Sequence, residues 1–196
     1  VLVGNAAHLE LLGECGLPLY GGASWNAYNR WSLEVCAGLG LKGVTLSHEL
    51  TMEQIEGLPD GGIEKEAAVY GRLPLMYSAH CPVGAELSGK ADGKPCGLCK
   101  RGGRHLLIDR MGAEFPVICD PPDCRCAILN GDRLAVPDLA PRLSRAGVSM
   151  LRLSIDDETA PEAARLVSLF REALEGVATD SLKGKGYTKG HYFRGV

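Results

Sequence analysis

Six of the eight cysteines in this 196-residue chain lie between positions 81 and 126. A secreted disulfide scaffold usually packs its cysteines into a shorter, loop-rich chain. Here helix and strand patterns surround the cysteines, and no export signal is visible at the N-terminus. We therefore interpret them as reduced, metal-binding cysteines of a cytoplasmic protein.

The clearest metal-binding signal is the CxxC pair formed by Cys96 and Cys99. Two thiolates on one tight turn can hold a single metal, and Gly97 permits the bend between them. Cys81 lies 15 positions before Cys96 and is a candidate third ligand. Zinc and a 4Fe–4S cluster both accept four thiolates, so the spacing alone does not choose between them.

A fourth ligand is expected from a group of three cysteines further along the chain. Cys124 lies 25 positions after Cys99, and Cys119 and Cys126 flank it. The spacing does not decide which of these three completes the site.

Outside this region the chain alternates between predicted strands and helices, which indicates a parallel sheet covered by helices. We expect an α/β fold that is part of a TIM-like (β/α) barrel, with a cysteine-rich β-hairpin insertion. The predicted organisation is barrel βα units over residues 1–76, a metal- or cluster-binding insertion over 77–130, a final βα unit over 131–176 and a tail over 177–196.

Several elements can be predicted individually. A helix is expected over residues 26–39, with an apolar stripe formed by Ala27, Trp31, Val35, Cys36 and Leu39. No helical periodicity is found between Tyr77 and Asn130, where two apolar runs, His105–Asp109 and Glu114–Cys119, predict a hairpin.

A second short helix is expected to begin at Thr51. Gln54 is its capping-box partner, and Leu50 and Ile55 form a hydrophobic staple across the helix start.

The number of predicted strands is too small for a closed barrel. About four or five barrel-type strands are predicted, whereas a closed barrel of this type has eight. We expect the remaining strands to come from an upstream part of the parent chain, since Val1 is not an initiator Met, or from another subunit.

Composition restricts the classes of partner. The net charge of −3 gives no basic footprint for nucleic acid, although it does not exclude RNA as a substrate. No apolar run approaches the roughly 20 residues needed to cross a bilayer, so no membrane partner is expected.

A series of motifs occurs in one order along the chain, and together they resemble peptidase family U32. The resemblance extends over essentially the whole chain. The motifs are Trp25-Asn26-Ala27-Tyr28-Asn29, Tyr77-Ser78-Ala79-His80-Cys81-Pro82, Cys96-Gly97-Leu98-Cys99, Asp109-Arg110-Met111-Gly112, Phe115-Pro116-Val117, Cys124-Arg125 with Ile128 and Asn130, and Gly190-His191-Tyr192-Phe193-Arg194-Gly195.

The resemblance implies a TIM-like barrel whose first strands precede Val1. It also implies a 4Fe–4S cluster, with zinc as the alternative, and the ligands by position are Cys81, Cys96, Cys99 and Cys124. Cys124 is chosen because it begins the family's Cys-Arg-x-x-Ile-x-Asn pattern, and Cys126 or Cys119 is the alternative.

The resemblance leaves the reaction open. The family name records a collagenase-like peptidase, which is a hydrolase, whereas other members act in oxygen-independent hydroxylation of RNA bases or of quinone precursors. We favour modification of an RNA base or an aromatic small molecule over peptidase activity. A structural zinc-binding assembly module is the third hypothesis.

Candidate catalytic residues carry little motif support, because the chain has neither GxSxG nor HExxH. His48 and Glu49 follow a predicted strand, where a barrel places catalytic groups, and His80 precedes Cys81. Polar, aromatic and basic side chains are predicted to bind substrate: Asn26, Asn29, Tyr77, Arg110 and Arg125.

Overall fold

The computed structural model describes residues 1–89, 96–101, 104–120, 123–177, 182, 184 and 186–195. The chain divides into two compact units. The first unit comprises Val1–Gly71 and Leu134–Val196, and the second unit is Arg72–Arg133.

Strands and helices follow one another along the chain. The strands are β1 (Leu2–Val3), β2 (Tyr20–Gly21), β3 (Gly43–Thr45), β4 (Glu64–Gly71), β5 (Pro74–Ser78), β6 (His105–Ile108), β7 (Glu114–Asp120), β8 (Arg125–Leu129), β9 (Arg133–Ala135), β10 (Val148–Leu153) and β11 (Tyr187–Thr188). The α-helices are α1 (Ala7–Leu12), α2 (Arg30–Gly38), α3 (Met52–Glu56), α4 (Pro82–Ser88), α5 (Ala140–Arg145) and α6 (Ala160–Leu174).

The first unit contains a mixed sheet. Strands β1, β2, β3, β4 and β10 are parallel neighbours in that order, and helices connect them along the chain. Strand β9 pairs antiparallel with the end of β4, and β11 lies beside β9. The α/β prediction is confirmed, and the strands of the described residues do not close into a barrel.

The predicted start of α3 is confirmed in detail. The Thr51 backbone N–H donates to Gln54 Oε1 at 2.8 Å, and the Gln54 N–H donates to Thr51 Oγ1 at 3.2 Å. Leu50 and Ile55 are both buried, as a hydrophobic staple requires. Four local residues therefore specify this helix start.

The prediction for the next helix upstream was partly wrong. Helix α2 begins at Arg30 rather than at position 26, because the Asn29 side chain caps it by accepting from the Ser32 N–H at 3.0 Å. Asn26 has a φ of 51°, which ends a short 3₁₀ turn, and Ala27 forms a bridge with Leu46.

The buried face of α2 also differs from the predicted stripe. Leu33 and Cys36 are buried, whereas Trp31, Val35 and Leu39 are 66%, 59% and 47% exposed. The core-facing positions of α2 therefore follow the 33/36 pair, and Ala27, which precedes the helix, is buried beside the sheet instead.

The second unit is built on a four-stranded antiparallel sheet in the order β5-β8-β7-β6. The predicted hairpin is confirmed as β6 and β7, which pair from His105↔Val117 to Ile108↔Glu114. Asp109 closes the turn, since its Oδ1 accepts from the backbone N–H groups of Met111 and Ala113 at 2.7 and 2.9 Å.

Helix α4 lies in a stretch where no helix was predicted. Its seven residues are too few to show a periodic stripe, but its boundaries carry ordinary signals. Cys81 caps it, Pro82 occupies the first turn and Gly89 ends it with a φ of 64°. Capping chemistry was therefore the signal available in the sequence.

Residues near the C-terminus contact the first unit's sheet. The Tyr192 hydroxyl donates to the carbonyl oxygen of Ala68 at 2.6 Å, and burial raises the pKa of Tyr192. Lys189 forms an ion pair with Asp138.

Within the described ranges, no helix combines the length and the apolar character that crossing a bilayer would require.

Candidate metal centre

The six cysteines between positions 81 and 126 all lie in the second unit. The other two lie in the first unit, where Cys36 is buried in α2 and Cys15 is exposed. Burial raises the pKa of the Cys36 thiol, as expected for a core residue. All eight cysteines are free thiols.

Cys81 is held at the start of α4. Its Sγ accepts a hydrogen bond from the Gly84 backbone N–H at 3.3 Å. Burial raises the pKa of Cys81, but the Gly84 hydrogen bond and those from neighbouring thiols outweigh burial and bring the pKa below its ordinary value. Cys81 is therefore well prepared to act as a thiolate ligand.

The thiol of Cys96 also lies beside Gly84. A Cβ built on Gly84 would lie 3.5 Å from Cys81 Sγ and 3.6 Å from Cys96 Sγ. The absence of a side chain at Gly84 thus leaves room for two thiols beside the first turn of α4.

The CxxC segment is bent as its sequence predicts. Gly97 has a φ of 70°, and Leu98–Arg101 then forms a 3₁₀ turn that packs against α4. Leu98 lies against the small core of the second unit, which contains Val83, Val117, Cys126 and Ile128. This apolar contact fixes the turn that carries Cys96 and Cys99.

Cys124 is the fourth ligand of the predicted set. Burial first, and then the negative charge of the Cys81, Cys96 and Cys99 thiolates, raise its pKa. Cys124 also has a φ of 53°, an unusual conformation for a residue with a side chain. Cys124 thus lies within electrostatic range of the other three predicted ligands, whereas the close thiol group among the described residues is a different one.

A second arrangement shares Cys81. The Sγ atoms of Cys81, Cys119 and Cys126 all lie within 4.8 Å of one another, so these three residues could hold a metal. Cys119 Sγ lies 3.9 Å from Cys81 Sγ and 2.7 Å from Cys126 Sγ. Burial and contact with Cys126 raise the pKa of the Cys119 thiol.

The donor set fits a soft metal centre. Thiolates select zinc or iron–sulfur clusters over hard cations such as magnesium. The proximity of the thiols supports metal binding by the cysteines.

A cavity of about 540 Å³ lies on the second unit, along strands β5, β7 and β8. Two of the predicted substrate-binding residues, Tyr77 and Arg125, line it together with Cys119 and Cys126. The Tyr77 side chain is 78% exposed, so its ring is available to a ligand.

The other predicted substrate residues are placed elsewhere. Arg110 is exposed in the β6–β7 turn. Asn26 and Asn29 are exposed in the first unit, and the Asn29 side chain serves as the cap of α2.

The predicted catalytic residues are divided between the two units. His80 is exposed in the second unit, where its backbone N–H donates to Ser78 Oγ at 3.0 Å. Glu49 is exposed in the first unit. His48, in contrast, belongs to a polar cluster at the end of β3.

This polar cluster contains residues that the sequence analysis missed. Glu66 Oε1 accepts from the Thr45 hydroxyl and from Arg152 Nε, each at 2.6 Å. Burial, and then the charge of Arg152, lower the pKa of His48, while Glu66 opposes them. The available signal for Arg152 was its charge between two apolar residues, Leu151 and Leu153.

The lowered pKa of His48 predicts a pH effect on stability. Because the ordinary pKa is 6.5, the unfolded chain binds more protons than the folded chain just below pH 6.5. The free energy of unfolding should therefore fall as the pH drops from about 7.5 to about 5.5, and His48→Gln should flatten this dependence. Urea denaturation at both pH values measures it.

His80→Gln, which removes an exposed imidazole, is the matched control for this prediction. The window lies above the ordinary carboxylate range, so acidic groups contribute little to the change. If the free energy of unfolding depends equally on pH in His48→Gln and in the unsubstituted protein, His48 is not the source of the effect.

Comparison with known proteins agrees with this picture. A family model described as peptidase family U32 matches residues 2–189. No curated protein matches significantly, and neither does any solved structure. The motifs around the cysteines and the match over nearly the whole length lead to one conclusion: this chain belongs to peptidase family U32.

Proposed function

We propose that this domain binds a 4Fe–4S cluster through Cys81, Cys96, Cys99 and Cys124. The observation that carries the proposal is the convergence of the Cys81 and Cys96 thiols on Gly84, with Cys124 within electrostatic range of both. Such a cluster supplies one-electron transfer when bound. Because four cysteines would leave no iron open, the chain's own residues must bind the substrate.

The cavity along strands β5, β7 and β8 suits an aromatic, anionic substrate. The exposed Tyr77 ring offers a face on which a base or another aromatic group can stack. The Arg125 guanidinium can pair with a phosphate or carboxylate. We therefore propose hydroxylation or a related modification of an RNA base or an aromatic small molecule.

The proposal includes the architecture and location of the protein. Five parallel strands in the order β1-β2-β3-β4-β10 are what part of a TIM-like barrel would contain. We propose that the remaining strands belong to the parent chain upstream or to another subunit. A cytoplasmic location would keep eight free thiols reduced.

Zinc at Cys81, Cys119 and Cys126 is the competing assignment, favoured by the proximity of their Sγ atoms. Two thiolates at about 2.3 Å from one tetrahedral zinc lie roughly 3.8 Å apart. The Cys81–Cys119 distance of 3.9 Å fits this value, but the Cys119–Cys126 distance of 2.7 Å does not. We therefore favour the cluster.

Peptidase activity is the second candidate function, because the family carries that name. The observation that favours it is the polar cluster around His48, where a neutral imidazole lies near Glu66 and Arg152. A neutral imidazole can act as a general base.

Iron, zinc and acid-labile sulfide measured on protein purified without oxygen test the proposal. About four irons and four sulfides per chain are expected, because each ligand set of this kind holds one cubane. Cys96→Ala and Cys124→Ala should each lose them, whereas Cys36→Ala, a buried cysteine outside the second unit, should retain them.

One zinc per chain and no sulfide would contradict the cluster and indicate a structural zinc site. If the well-folded protein contains neither iron nor zinc, peptidase activity becomes the leading hypothesis. Digestion of gelatin would then test His48, Glu49 and His80.

A further inference from the structure

Cys119 and Cys126 form a thiol pair that the predicted ligand set does not use. They are directly opposite each other on the antiparallel strands β7 and β8. Their Sγ atoms are 2.7 Å apart, which is closer than either the Cys81–Cys119 contact or two ligands of one zinc. This Sγ–Sγ distance is therefore too short for two thiolates that bind the same metal ion.

We propose that Cys119 and Cys126 are a reversible oxidation site that closes to a cross-strand disulfide. Directly paired residues on antiparallel strands have Cα atoms about 4.5–5.5 Å apart, within the range of roughly 4.4–6.8 Å that disulfides span. A disulfide bond is about 2.05 Å long, so the two sulfurs need to approach by only a fraction of an ångström.

Of the two sulfurs, that of Cys119 is the more accessible. Both side chains lie on the face of the sheet that carries Val117 and Ile128, because residues directly opposite on paired strands share a face. Cys126 is buried, with 2% of its surface exposed, whereas Cys119 is half-buried, so Cys119 is the sulfur that an incoming reagent meets first.

The oxidant is a disulfide of the glutathione class. The Cys119 sulfur attacks one sulfur of the oxidant, which breaks its S–S bond and releases one glutathione thiol. The Cys126 sulfur then attacks the mixed disulfide, forms the Cys119–Cys126 bond and releases the second thiol. The two cysteines are oxidised, the oxidant is reduced, and the two cysteine protons end on the two released thiols.

This chemistry is separate from the cluster. The oxidised pair has no thiolate to offer a metal, so Cys81 remains available to the proposed ligand set with Cys96, Cys99 and Cys124. The disulfide is expected whether or not the protein carries iron, so failure of one proposal leaves the other standing.

The sequence makes the bond easy to detect. Trypsin cleaves after Arg110, Arg125 and Arg133, which places Cys119 in the peptide Met111–Arg125 and Cys126 in the peptide Cys126–Arg133. Anaerobically purified protein is treated with glutathione disulfide, alkylated and digested without reductant. Mass spectrometry should find the two peptides linked, and two of the eight thiols should be lost and then restored by dithiothreitol.

Fragmentation of the linked peptide identifies the partner, because Met111–Arg125 also contains Cys124. Cys119→Ser should abolish the link, while Cys36→Ser should leave it intact. Iron and sulfide contents of Cys119→Ser and Cys126→Ser should equal those of the unsubstituted protein.

Three outcomes would overturn the proposal. The first is eight free thiols after oxidant treatment of the folded protein. The second is a bond from Cys126 to Cys124 rather than to Cys119. The third is loss of iron in Cys119→Ser or Cys126→Ser, which would place the pair among the metal ligands.

Discussion

Gly71→Ala is expected to lower the free energy of unfolding by about 3 kcal/mol or more. Gly71 ends β4 with a φ of 114°, a region that residues with a side chain avoid. A Cβ there would collide with the Ser154 carbonyl oxygen and lie 2.6 Å from Ser154 Cβ. Ser154 cannot easily retreat, because its N–H donates to the Tyr70 carbonyl oxygen at 2.9 Å.

Gly62→Ala is the control that separates the cost of the positive φ from the cost of the steric collision. Gly62 also has a positive φ, 68°, but a Cβ there would meet no atom within 4 Å. This control should lose only about 1–2 kcal/mol, the cost of the left-handed conformation. Urea denaturation followed by circular dichroism compares the two variants, and equal losses would show that the strand end relaxes around the added methyl group.

Removing the metal should have a large effect on the second unit. A ligand present at about 1,000 times its Kd stabilises the folded state by about 4 kcal/mol, and a tightly held metal exceeds this. The reason is local: the thiols join the start of α4 to the CxxC turn, which otherwise rests on the small core around Val83 and Ile128. An iron chelator under anaerobic, reducing conditions should therefore accelerate amide exchange in α4 and the β6–β7 hairpin by about a thousandfold or more.

Strands β3 and β10 provide the internal control, because they belong to the first unit and contain no cysteine. Exchange that speeds up equally in both units would mean that the chelator unfolds the whole chain. Unchanged exchange in α4 after iron loss would show that the cysteines hold metal without contributing to the folding of the unit.

Short-range signals explain the predictions that succeeded. The start of α3 depends on Thr51 and Gln54, three residues apart, and the hairpin turn depends on Asp109. The family assignment depends on ordered motifs rather than on contacts. Each of these predictions depends on residues that are close together in the sequence, so the sequence alone was sufficient.

Contacts between distant segments explain what was missed. Glu66 and Arg152 form an ion pair although 86 positions separate them, and nothing local to either residue indicates the other. The Cys119–Cys126 contact likewise requires the register of β7 against β8. The α2 stripe failed because the elements that pack against a helix decide which face is buried, and here Leu33 and Cys36 face the core.

The β4–β9 pairing has a consequence for the modular use of this fold. Gly71 and Leu134, the last residue before the second unit and the first after it, are opposite each other in that pairing. Within the second unit the ends also meet, since the Asn130 N–H donates to the Leu73 carbonyl oxygen at 2.8 Å. A segment with adjoining ends can be exchanged between host proteins as a cassette, and a host that lost it would need only a tight turn to rejoin its strands as a hairpin.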